Sequence, residues 1–337
     1  MKISLKRSLI VISTIFLIIL MIYYVDFQKI QENIIKISIY GVFSICIVYS
    51  FSFILRSFRL KQIFKGIELN ASIITLYGSF GIGWGINEIT PGKIGDLARI
   101  EIIRQKEDQI SLSKSFCAIT IERYIDVLIL FIFTCLIMIY LFFLGIRGTT
   151  KLNLSIYILL GALILITGIM CLIVLLIRKE FILNIIGKIS INLKQRLEIF
   201  INKFLEGMKD FKRNQKEFLS VIIVSIPIWI LDSSTIVILF YLIGYEINVF
   251  IILLAQIFSF FTKTFPITPG GWVISENAGA LLVFLFYPSI SYFIILSIFI
   301  LDHIIRIAYI FIYGTFSSIG LNIKYRKINI REIEKEN

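Results

Sequence analysis

Charge is scarce in this chain of 337 residues, and its scarcity argues against a soluble globular fold. Only 17% of the residues are charged, whereas an ordinary globular domain has about a quarter. Hydrophobic residues make up 58%, and the mean hydropathy is +0.92. Several uncharged stretches reach the roughly 18–20 residues that cross a hydrocarbon core of about 30 Å. The sequence therefore predicts an all-α, polytopic membrane helix bundle, with residues 1–337 as a single transmembrane domain.

Histidine is almost absent, and the few cysteines are not paired. The single histidine, His303, cannot build a multi-histidine metal site and is interpreted as a buried hydrogen-bonding residue. The four cysteines lie in apolar segments without a Cys-x-x-Cys pair, which suggests neither a disulfide framework nor a zinc site. We find no Gly-x-Ser-x-Gly, Walker or His-Glu-x-x-His motif and no dinucleotide fingerprint. We therefore expect no catalytic residues, no cofactor and no metal ion.

Apolar stretches divide the chain into six full spans and two shorter segments. The spans are predicted at 9–24, 37–55, 116–145, 154–177, 219–243 and 290–313. The shorter segments, 71–85 and 249–264, cover only about 22–24 Å at about 1.5 Å per residue, which is short of a crossing. Each is followed by a Pro-Gly pair. We expect re-entrant helical hairpins at about 71–115 and 249–288.

The basic residues predict the topology. With six crossings and two re-entrant hairpins, both termini lie on one face. The segments on that face, including residues 56–70, hold 27 of the 34 lysines and arginines, and the positive-inside rule makes the face cytoplasmic. The first hairpin then dips into the cell membrane from the cytoplasm and the second from outside. The net charge of +12 reflects this bias, so no nucleic-acid partner is expected.

The two hairpins share a sequence signature. The residues Ile-Thr-Pro-Gly occur at 89–92 and again at 267–270, each time after a short apolar helix. Each motif is followed by a carboxylate, Asp96 or Glu276. Short segments interrupted by Gly and Pro in corresponding halves of a chain indicate the binding site of an inverted-repeat transporter. The alternative is a coincidence between two Pro-Gly turns.

Residues 178–218 form a polar insert. Ten of them are Lys or Arg, five are Asp or Glu, and apolar residues recur at helical spacing. The pattern predicts one or two amphipathic helices on the cytoplasmic surface, attracted to anionic lipid. A solvated connector that follows the positive-inside bias is the alternative.

Charges in apolar surroundings mark a candidate site, because each costs at least about 2.5–3.5 kcal/mol to insert. Glu122 and Asp126 lie one helical turn apart with Arg123 between them, which favours a compact ionic cluster. Asp302 and Arg306 have the same spacing and are interpreted as a salt bridge that fixes helix packing.

The first Pro-Gly break adds a second reason to place a site here. A break at Pro91-Gly92 frees backbone N–H groups at the start of the next helix, and a helix N-terminus attracts phosphate. Basic side chains add charge-assisted contacts, and glycines let a headgroup approach the backbone. The predicted substrate-binding residues are Asn87, Pro91, Gly92, Lys93, Gly95, Asp96, Arg99, Glu122, Arg123, Asp126, Pro269, Gly270, Gly271 and Glu276.

Two long motifs carry a family resemblance. The first is NEITPGKIGDLAR at 87–99 with IERYID at 121–126, and the second is FPITPGG at 265–271 with Glu276 downstream. Together they resemble the lysylphosphatidylglycerol synthase transmembrane-region family, whose members are also described as flippase-like. The resemblance implies a lipid-translocating domain. In two-part members this domain is thought to flip aminoacylated phosphatidylglycerol made by an attached cytosolic transferase domain, and other relatives act in polyprenyl-linked glycan assembly.

Two departures from the family pattern limit what the resemblance implies. The sequence ends soon after its last span, so we expect no transferase domain and no aminoacyl transfer by this chain alone. The second motif continues Gly-Gly-Trp-Val where a further glycine is more usual, which makes close backbone approach less expected there.

The leading hypothesis is a flippase-like protein that handles an anionic lipid or lipid-linked headgroup. The headgroup is expected to be of the aminoacyl-phosphatidylglycerol or polyprenyl-phosphate type. The first alternative is the membrane subunit of a lipid-modifying transferase or of envelope glycan assembly. Its acids would then act as general base beside a separate cytosolic transferase or glycosyltransferase. The second alternative is a scaffold that transports nothing.

Overall fold

A computed structural model describes residues 37–90, 93–143, 191–263 and 268–323. Within these ranges the structure has nine α-helices, one 3₁₀ turn and no strand, which confirms the predicted all-α membrane bundle. The helices are α1 (Ile39–Gly66), α2 (Ile73–Ile89), α3 (Ile94–Lys106), α4 (Leu112–Phe143), α5 (Ile191–Arg213), α6 (Gln215–Ile243), α7 (Val249–Thr262), α8 (Ile274–Phe286) and α9 (Tyr292–Gly320). The 3₁₀ turn, Pro269–Gly271, lies between α7 and α8.

Four helices, α1, α4, α6 and α9, are long and apolar enough to cross a membrane. They correspond to four of the six predicted spans, and each extends past the predicted bound at one end. Helix α1 shows the largest difference, because it continues from residue 55 to Gly66. The other two predicted spans, 9–24 and 154–177, lie outside the described residues.

Helices α1 and α6 pack along each other near the centre of the bundle. Helix α1 begins at Ser38, where the Gly41 amide donates both to the Ser38 hydroxyl, at 3.2 Å, and to the Ser38 carbonyl oxygen, at 2.9 Å. Helix α6 ends at Gly244, whose left-handed conformation suits a residue without a Cβ atom. Leu60 of α1 and Leu239 of α6 are fully buried in the same apolar core.

Both predicted hairpins have a break between two short helices. Helix α2 ends before Thr90, and α3 begins after Lys93, which has a left-handed backbone with φ of 55°. In the second hairpin, Gly270 and Gly271 have φ of 61° and 76°, a region that glycine adopts without steric strain. The Pro-Gly signal therefore correctly predicted the helix–break–helix pattern in both halves. Pro91 and Gly92 themselves lie outside the described residues.

The two breaks meet in the middle of the bundle. The 3₁₀ turn packs against α2, and Gly270 lies beside the Glu88 side chain and main chain. Helix α9 contacts α2 of the first hairpin and α8 of the second. This contact between breaks is observed, whereas insertion from opposite faces and the inverted repeat stay predictions.

The described part of the polar insert forms helix α5, which packs through an apolar face, as predicted. Phe204 and Phe211 on one side are buried, and the Phe204 ring lies 6.0 Å from that of Phe116 in α4. Lys114 of α4 adds ion pairs of 3.7 Å to Glu206 and 3.5 Å to Asp210. The helix therefore packs on α4, while its cytoplasmic location and attraction to lipid stay predictions. Residues 178–190 lie outside the described residues.

Candidate functional site

A polar cavity of about 110 Å³ lies where the two broken hairpins meet α1, α4, α6 and α9. Its wall carries more positive than negative charge. The cationic side chains are those of Arg56, Lys93, Arg123, Lys263 and Arg306, and the carboxylates are Glu88 and Asp232. With each group in its usual state at neutral pH, the wall has an excess of three positive charges.

Three of these cations have no carboxylate partner. Among the described residues, neither Lys93 nor Lys263 nor Arg306 forms an ion pair, although each comes from a different part of the fold: the first hairpin, the second hairpin and α9. The Lys93 ammonium instead lies 4.5 Å from the centre of the Phe260 ring, a weak cation–π contact. Unpaired cations inside an apolar bundle are costly, so their convergence indicates a site for an anion.

Three residues of the cavity wall also carry N–H groups without an acceptor. Trp84 Nε1, Trp229 Nε1 and Arg306 Nε are buried, and none has a hydrogen-bond acceptor in the part of the chain that the structure describes. All three residues line the cavity. Their nitrogen atoms have almost no accessible surface, so the case for an anion rests on the cationic side chains and not on these donors.

Arg56 is fixed in the cavity wall by three contacts. It forms an ion pair with Asp232, whose other oxygen accepts a hydrogen bond of 2.5 Å from Ser52. Its guanidinium also lies near two aromatic rings, 4.9 Å from the centre of Trp84 and 5.7 Å from that of Trp229. These contacts hold Arg56 in place, whereas Lys93, Lys263 and Arg306 form no ion pair with a described residue.

A balanced ionic network lies behind the wall. Arg123 binds Asp96 through two hydrogen bonds of 2.9 Å, and Asp126 accepts from Arg123 at 3.4 Å. The network also contains Arg59, which binds Asp126 at 2.6 Å and Glu122 at 3.0 Å. Its third arginine is Arg99, which binds Glu122 at 2.8 Å and Asp96 at 3.5 Å. Three arginines thus alternate with three carboxylates. This arrangement ties α1, α3 and α4 together and holds Arg123 at the cavity.

The two hairpins are also joined through His303 of α9. Its Nε2 atom lies 3.0 Å from Glu88 Oε2 in the first hairpin, and its Nδ1 atom contacts Glu276 Oε1 in the second. The Trp272 ring stacks on the imidazole at 4.8 Å between centroids. The expectation that His303 is a buried hydrogen-bonding residue is confirmed, and the two carboxylate partners set its position.

The start of α3 is capped from the opposite helix of its hairpin. Lys93 makes no side-chain cap, and Asn87 Oδ1 of α2 accepts a hydrogen bond of 2.7 Å from the Gly95 amide instead. Asn87→Ala is expected to lower the unfolding free energy by about 1 kcal/mol, as for loss of a capping residue. Thermal unfolding in detergent measures this effect. Asn87→Asp keeps the acceptor and should recover most of the loss, whereas equal losses for both variants would contradict the cap.

Comparison with known families identifies the family to which this chain belongs. A family model described as "Lysylphosphatidylglycerol synthase TM region" matches residues 7–314 of the chain. The chain belongs to this family. The resemblance of the two Pro-Gly motifs is thereby confirmed over both hairpins and all four described spans.

Relatives of this family member occur among archaeal membrane proteins. A UPF0104 membrane protein of Pyrococcus horikoshii is 21% identical over 288 residues, which cover 80% of this chain and 84% of the relative. A UPF0104 membrane protein of Methanocaldococcus jannaschii is 25% identical over 289 residues, which cover 82% and 84% respectively. No solved structure matches the chain.

The structure describes twelve of the fourteen predicted site residues of this family member, all except Pro91 and Gly92, and it does not bring all twelve to one place. Those that line the cavity are Asn87, Lys93, Arg123, Gly270 and Gly271. Those in the ionic network are Asp96, Arg99, Glu122 and Asp126. Glu276 contacts His303. Gly95 lies at the contact of α3 with α2, and Pro269 lies in the 3₁₀ turn. The compact cluster predicted around Arg123 is present, and it is larger than predicted.

The sequence reasoning missed the arginines of α1. Arg56 and Arg59 counted there as cytoplasmic residues, yet they are 2% and 0% exposed. Ile54 and Phe58, in contrast, are 52% and 43% exposed, so α1 turns its apolar side outward and its charges inward. The spacing of the two arginines was the available signal: they are three residues apart on one helix face, and apolar residues lie on the other face, which indicates an inward-facing charged stripe. Glu88, Lys263 and Arg306 were likewise left out of the predicted site.

The predicted salt bridge between Asp302 and Arg306 is not observed. Asp302 Oδ1 accepts hydrogen bonds of 2.6 Å from Tyr49 and 2.7 Å from Thr235. The hydroxyl groups of neighbouring helices satisfy the carboxylate, which leaves Arg306 at the cavity. Helical spacing alone could not reveal this competition, because both hydroxyls come from distant parts of the chain.

Proposed function

We propose that the cavity binds the phosphate of an anionic lipid headgroup and that the protein moves this headgroup between the leaflets of the cell membrane. The single observation that carries the proposal is the convergence in one cavity of three cations that form no ion pair with a described residue, Lys93, Lys263 and Arg306. A phosphate offers these cations negative charge and several strong acceptor oxygens. In this proposal the cavity holds the headgroup, and the lipid tails stay in the bilayer.

The position of the cations supports movement in addition to binding. They belong to two broken hairpins and a spanning helix, so one bound headgroup touches elements that the predicted topology exposes to opposite sides. Glycines with left-handed backbone at the second break, Gly270 and Gly271, let the turn approach Glu88 and Lys263 closely, which brings the two breaks together at the cavity. Alternating exposure of the two hairpins would carry the headgroup across while both termini stay cytoplasmic.

The family description points to the class of lipid. It names a synthase of lysylphosphatidylglycerol, an ester of an anionic phospholipid. Aminoacyl-phosphatidylglycerol and polyprenyl phosphate share the phosphate that the cavity selects. The carboxylate of Glu88 on the wall is suited to the cationic part of an aminoacyl headgroup.

Lipid movement in reconstituted vesicles tests the proposal. Wild-type protein should move tail-labelled phosphatidylglycerol or polyprenyl phosphate faster than net-neutral phosphatidylcholine, as measured by chemical quenching of the outer-leaflet label. Lys263→Gln and Arg306→Gln should each slow movement about tenfold or more, because each removes one charge-assisted contact of about 1.5–3 kcal/mol. Lys65→Gln, an exposed lysine at the end of α1, is the matched control and should change nothing.

Two results would count against this function. Folded wild-type protein that moves no lipid faster than empty vesicles would contradict transport. Equal rates for phosphatidylglycerol and phosphatidylcholine, unchanged in both variants, would contradict headgroup selection by the cavity.

A second candidate function is the membrane subunit of a lipid-modifying transferase or of envelope glycan assembly. The observation in its favour is Glu88 at the cavity wall, which pairs with the buried His303, an arrangement suited to a general base. This function requires a separate cytosolic transferase or glycosyltransferase. Binding of phosphatidylglycerol without movement, together with modification of the lipid when such an enzyme is added, would favour it over transport.

A further inference from the structure

His303 occupies an unusual position, because it contacts a carboxylate from each broken hairpin. It is 1% exposed and lies on α9, with Glu88 at one ring nitrogen and Glu276 at the other. Ser275 also donates to Glu276 Oε1 at 2.8 Å, while Glu276 Oε2 has no partner among the described residues. The histidine is thus the direct polar connection between the two hairpin breaks.

The number of protons on the imidazole decides whether this connection is complete. An ionised carboxylate only accepts hydrogen bonds, and a neutral imidazole has one N–H donor. Only the imidazolium form donates to Glu88 and Glu276 at once. Loss of the proton places a nitrogen lone pair against carboxylate oxygen, which weakens one of the two links.

Charged groups from several elements surround His303. Lys263, which follows α7, and Arg306 of α9 are the nearby cations, and Glu88, Glu276 and Asp302 are the nearby carboxylates. Arg56 of α1 and Asp232 of α6 pair with each other, and Tyr49 of α1 donates to Asp302. With His303 protonated, this histidine and the nearby groups Lys263, Arg306, Glu88, Glu276 and Asp302 hold three positive and three negative charges. With His303 neutral, the same groups have an excess of one negative charge.

The whole buried site shows the same balance on a larger scale. The cations of the cavity and its network are Arg56, Arg59, Lys93, Arg99, Arg123, Lys263 and Arg306, and the carboxylates are Glu88, Asp96, Glu122, Asp126, Asp232, Glu276 and Asp302. The groups behind the wall carry an excess of three negative charges, which offsets the excess of three positive charges on the wall itself. Seven charges of each sign therefore leave the described site neutral before His303 and a ligand are counted. A bound monoanion makes it negative by one, and one proton restores neutrality.

We propose that His303 binds a proton together with the anion, so that the protein takes up one proton for each anionic headgroup that enters the cavity. This inference rests on the proposed function, and it names the proton as the ion whose movement is coupled to that of the headgroup. The bound anion stabilises the imidazolium, and the imidazolium in turn strengthens anion binding, because linkage between two ligands is reciprocal. The joined hairpins then hold the headgroup, and release of the proton on the other side loosens them. A proton gradient across the membrane thereby gives the movement its direction.

The single histidine in the sequence makes a direct test possible. In protein labelled with ¹³C and ¹⁵N at histidine alone and purified through a histidine-free tag, the imidazole signals in NMR spectra report only on His303. Saturating dihexanoyl phosphatidylglycerol, a soluble short-chain lipid, should shift the titration midpoint of these signals upward by one pH unit or more. An unchanged midpoint in the presence of bound lipid would overturn the coupling.

Calorimetry in two buffers of different ionisation enthalpy gives the stoichiometry. Wild-type protein should take up about one proton per lipid bound, and above the midpoint its affinity should fall about tenfold per pH unit. His303→Gln should bind the lipid with an affinity that no longer changes with pH and with no proton uptake. Lys65→Gln should behave as the wild type.

The outcomes separate this inference from the function on which it rests. Lipid binding with proton uptake that persists in His303→Gln would overturn the role of His303 and leave the anion site intact. Absence of any heat of binding in folded wild-type protein would overturn the anion site and the coupling together. The NMR titration needs no variant, so the test holds even where His303→Gln does not fold.

Discussion

Arg59→Met is expected to lower the free energy of unfolding by about 3–5 kcal/mol, the usual loss when one partner of a buried ion pair is removed. Arg59 is fully buried and binds two equally buried carboxylates, Glu122 and Asp126. Without the guanidinium, the ion-pair partners left among the described residues are Arg123 for Asp126, at 3.4 Å, and Arg99 for Glu122, at 2.8 Å. Methionine replaces most of the side-chain volume, so the loss reports uncompensated charge and not a cavity. Unfolding in denaturing detergent, followed by tryptophan fluorescence, measures it.

The matched control is Arg213→Met. Arg213 also pairs with a glutamate, Glu68, but the two side chains are 69% and 55% exposed. An exposed pair contributes about 0–1 kcal/mol, so this variant should unfold almost as the wild type does. Adding Asp126→Asn to Arg59→Met should recover part of the stability, because it removes a stranded charge. Equal losses for Arg59→Met and Arg213→Met would show that the network does not stabilise the fold.

Gly95→Ala is expected to destabilise the first hairpin by about 3 kcal/mol, the upper end of the usual cost of overpacking. A Cβ atom at this position would collide with the carbonyl oxygen of Gly83, where α3 crosses α2. A backbone oxygen cannot turn aside as a side chain can, so the two helices must separate. Their separation would also pull Gly95 N from Asn87 and shift the start of α3 at the cavity. Both unfolding and phosphatidylglycerol movement should therefore be affected.

Gly85→Ala is the control on the same hairpin. The nearest atom to a Cβ at Gly85 is Ile310 Cγ2, at an ordinary 3.9 Å. Alanine favours the helix by about 1 kcal/mol over glycine, so this variant should be neutral or more stable than the wild type. If Gly95→Ala were as stable as Gly85→Ala, the close backbone contact between α2 and α3 would be wrong.

The sequence allowed the broken hairpins to be predicted because the signal for a break is local. Proline lacks an N–H group and glycine adopts backbone angles that other residues avoid, and both effects act within a few residues. Span prediction succeeded for the same reason, since hydropathy is a property of one helix at a time. The cluster around Arg123 was also recognisable, because Glu122 and Asp126 are its neighbours in sequence.

The rest of the site depends on partners that are distant in the chain. Arg56 pairs with Asp232, 176 residues away, and His303 reaches Glu88 across 215 residues. A rule that counts charges along the chain assigned Arg56 and Arg59 to the cytoplasm, because it has no information about carboxylates on other helices. Asp302 was paired with Arg306 for the same reason, although Tyr49 and Thr235 supply its hydrogen bonds.

The inward-facing arginines of α1 have a consequence for how the protein is made. A lone helix that carries Arg56 and Arg59 would have to leave both charges in lipid or at its surface, at about 2.5–3.5 kcal/mol each. The carboxylates that neutralise them are on α4 and α6, which leave the ribosome later. Helix α1 therefore gains the partners of both arginines only after α4 and α6 have been made. The final packing of α1 depends on these later helices.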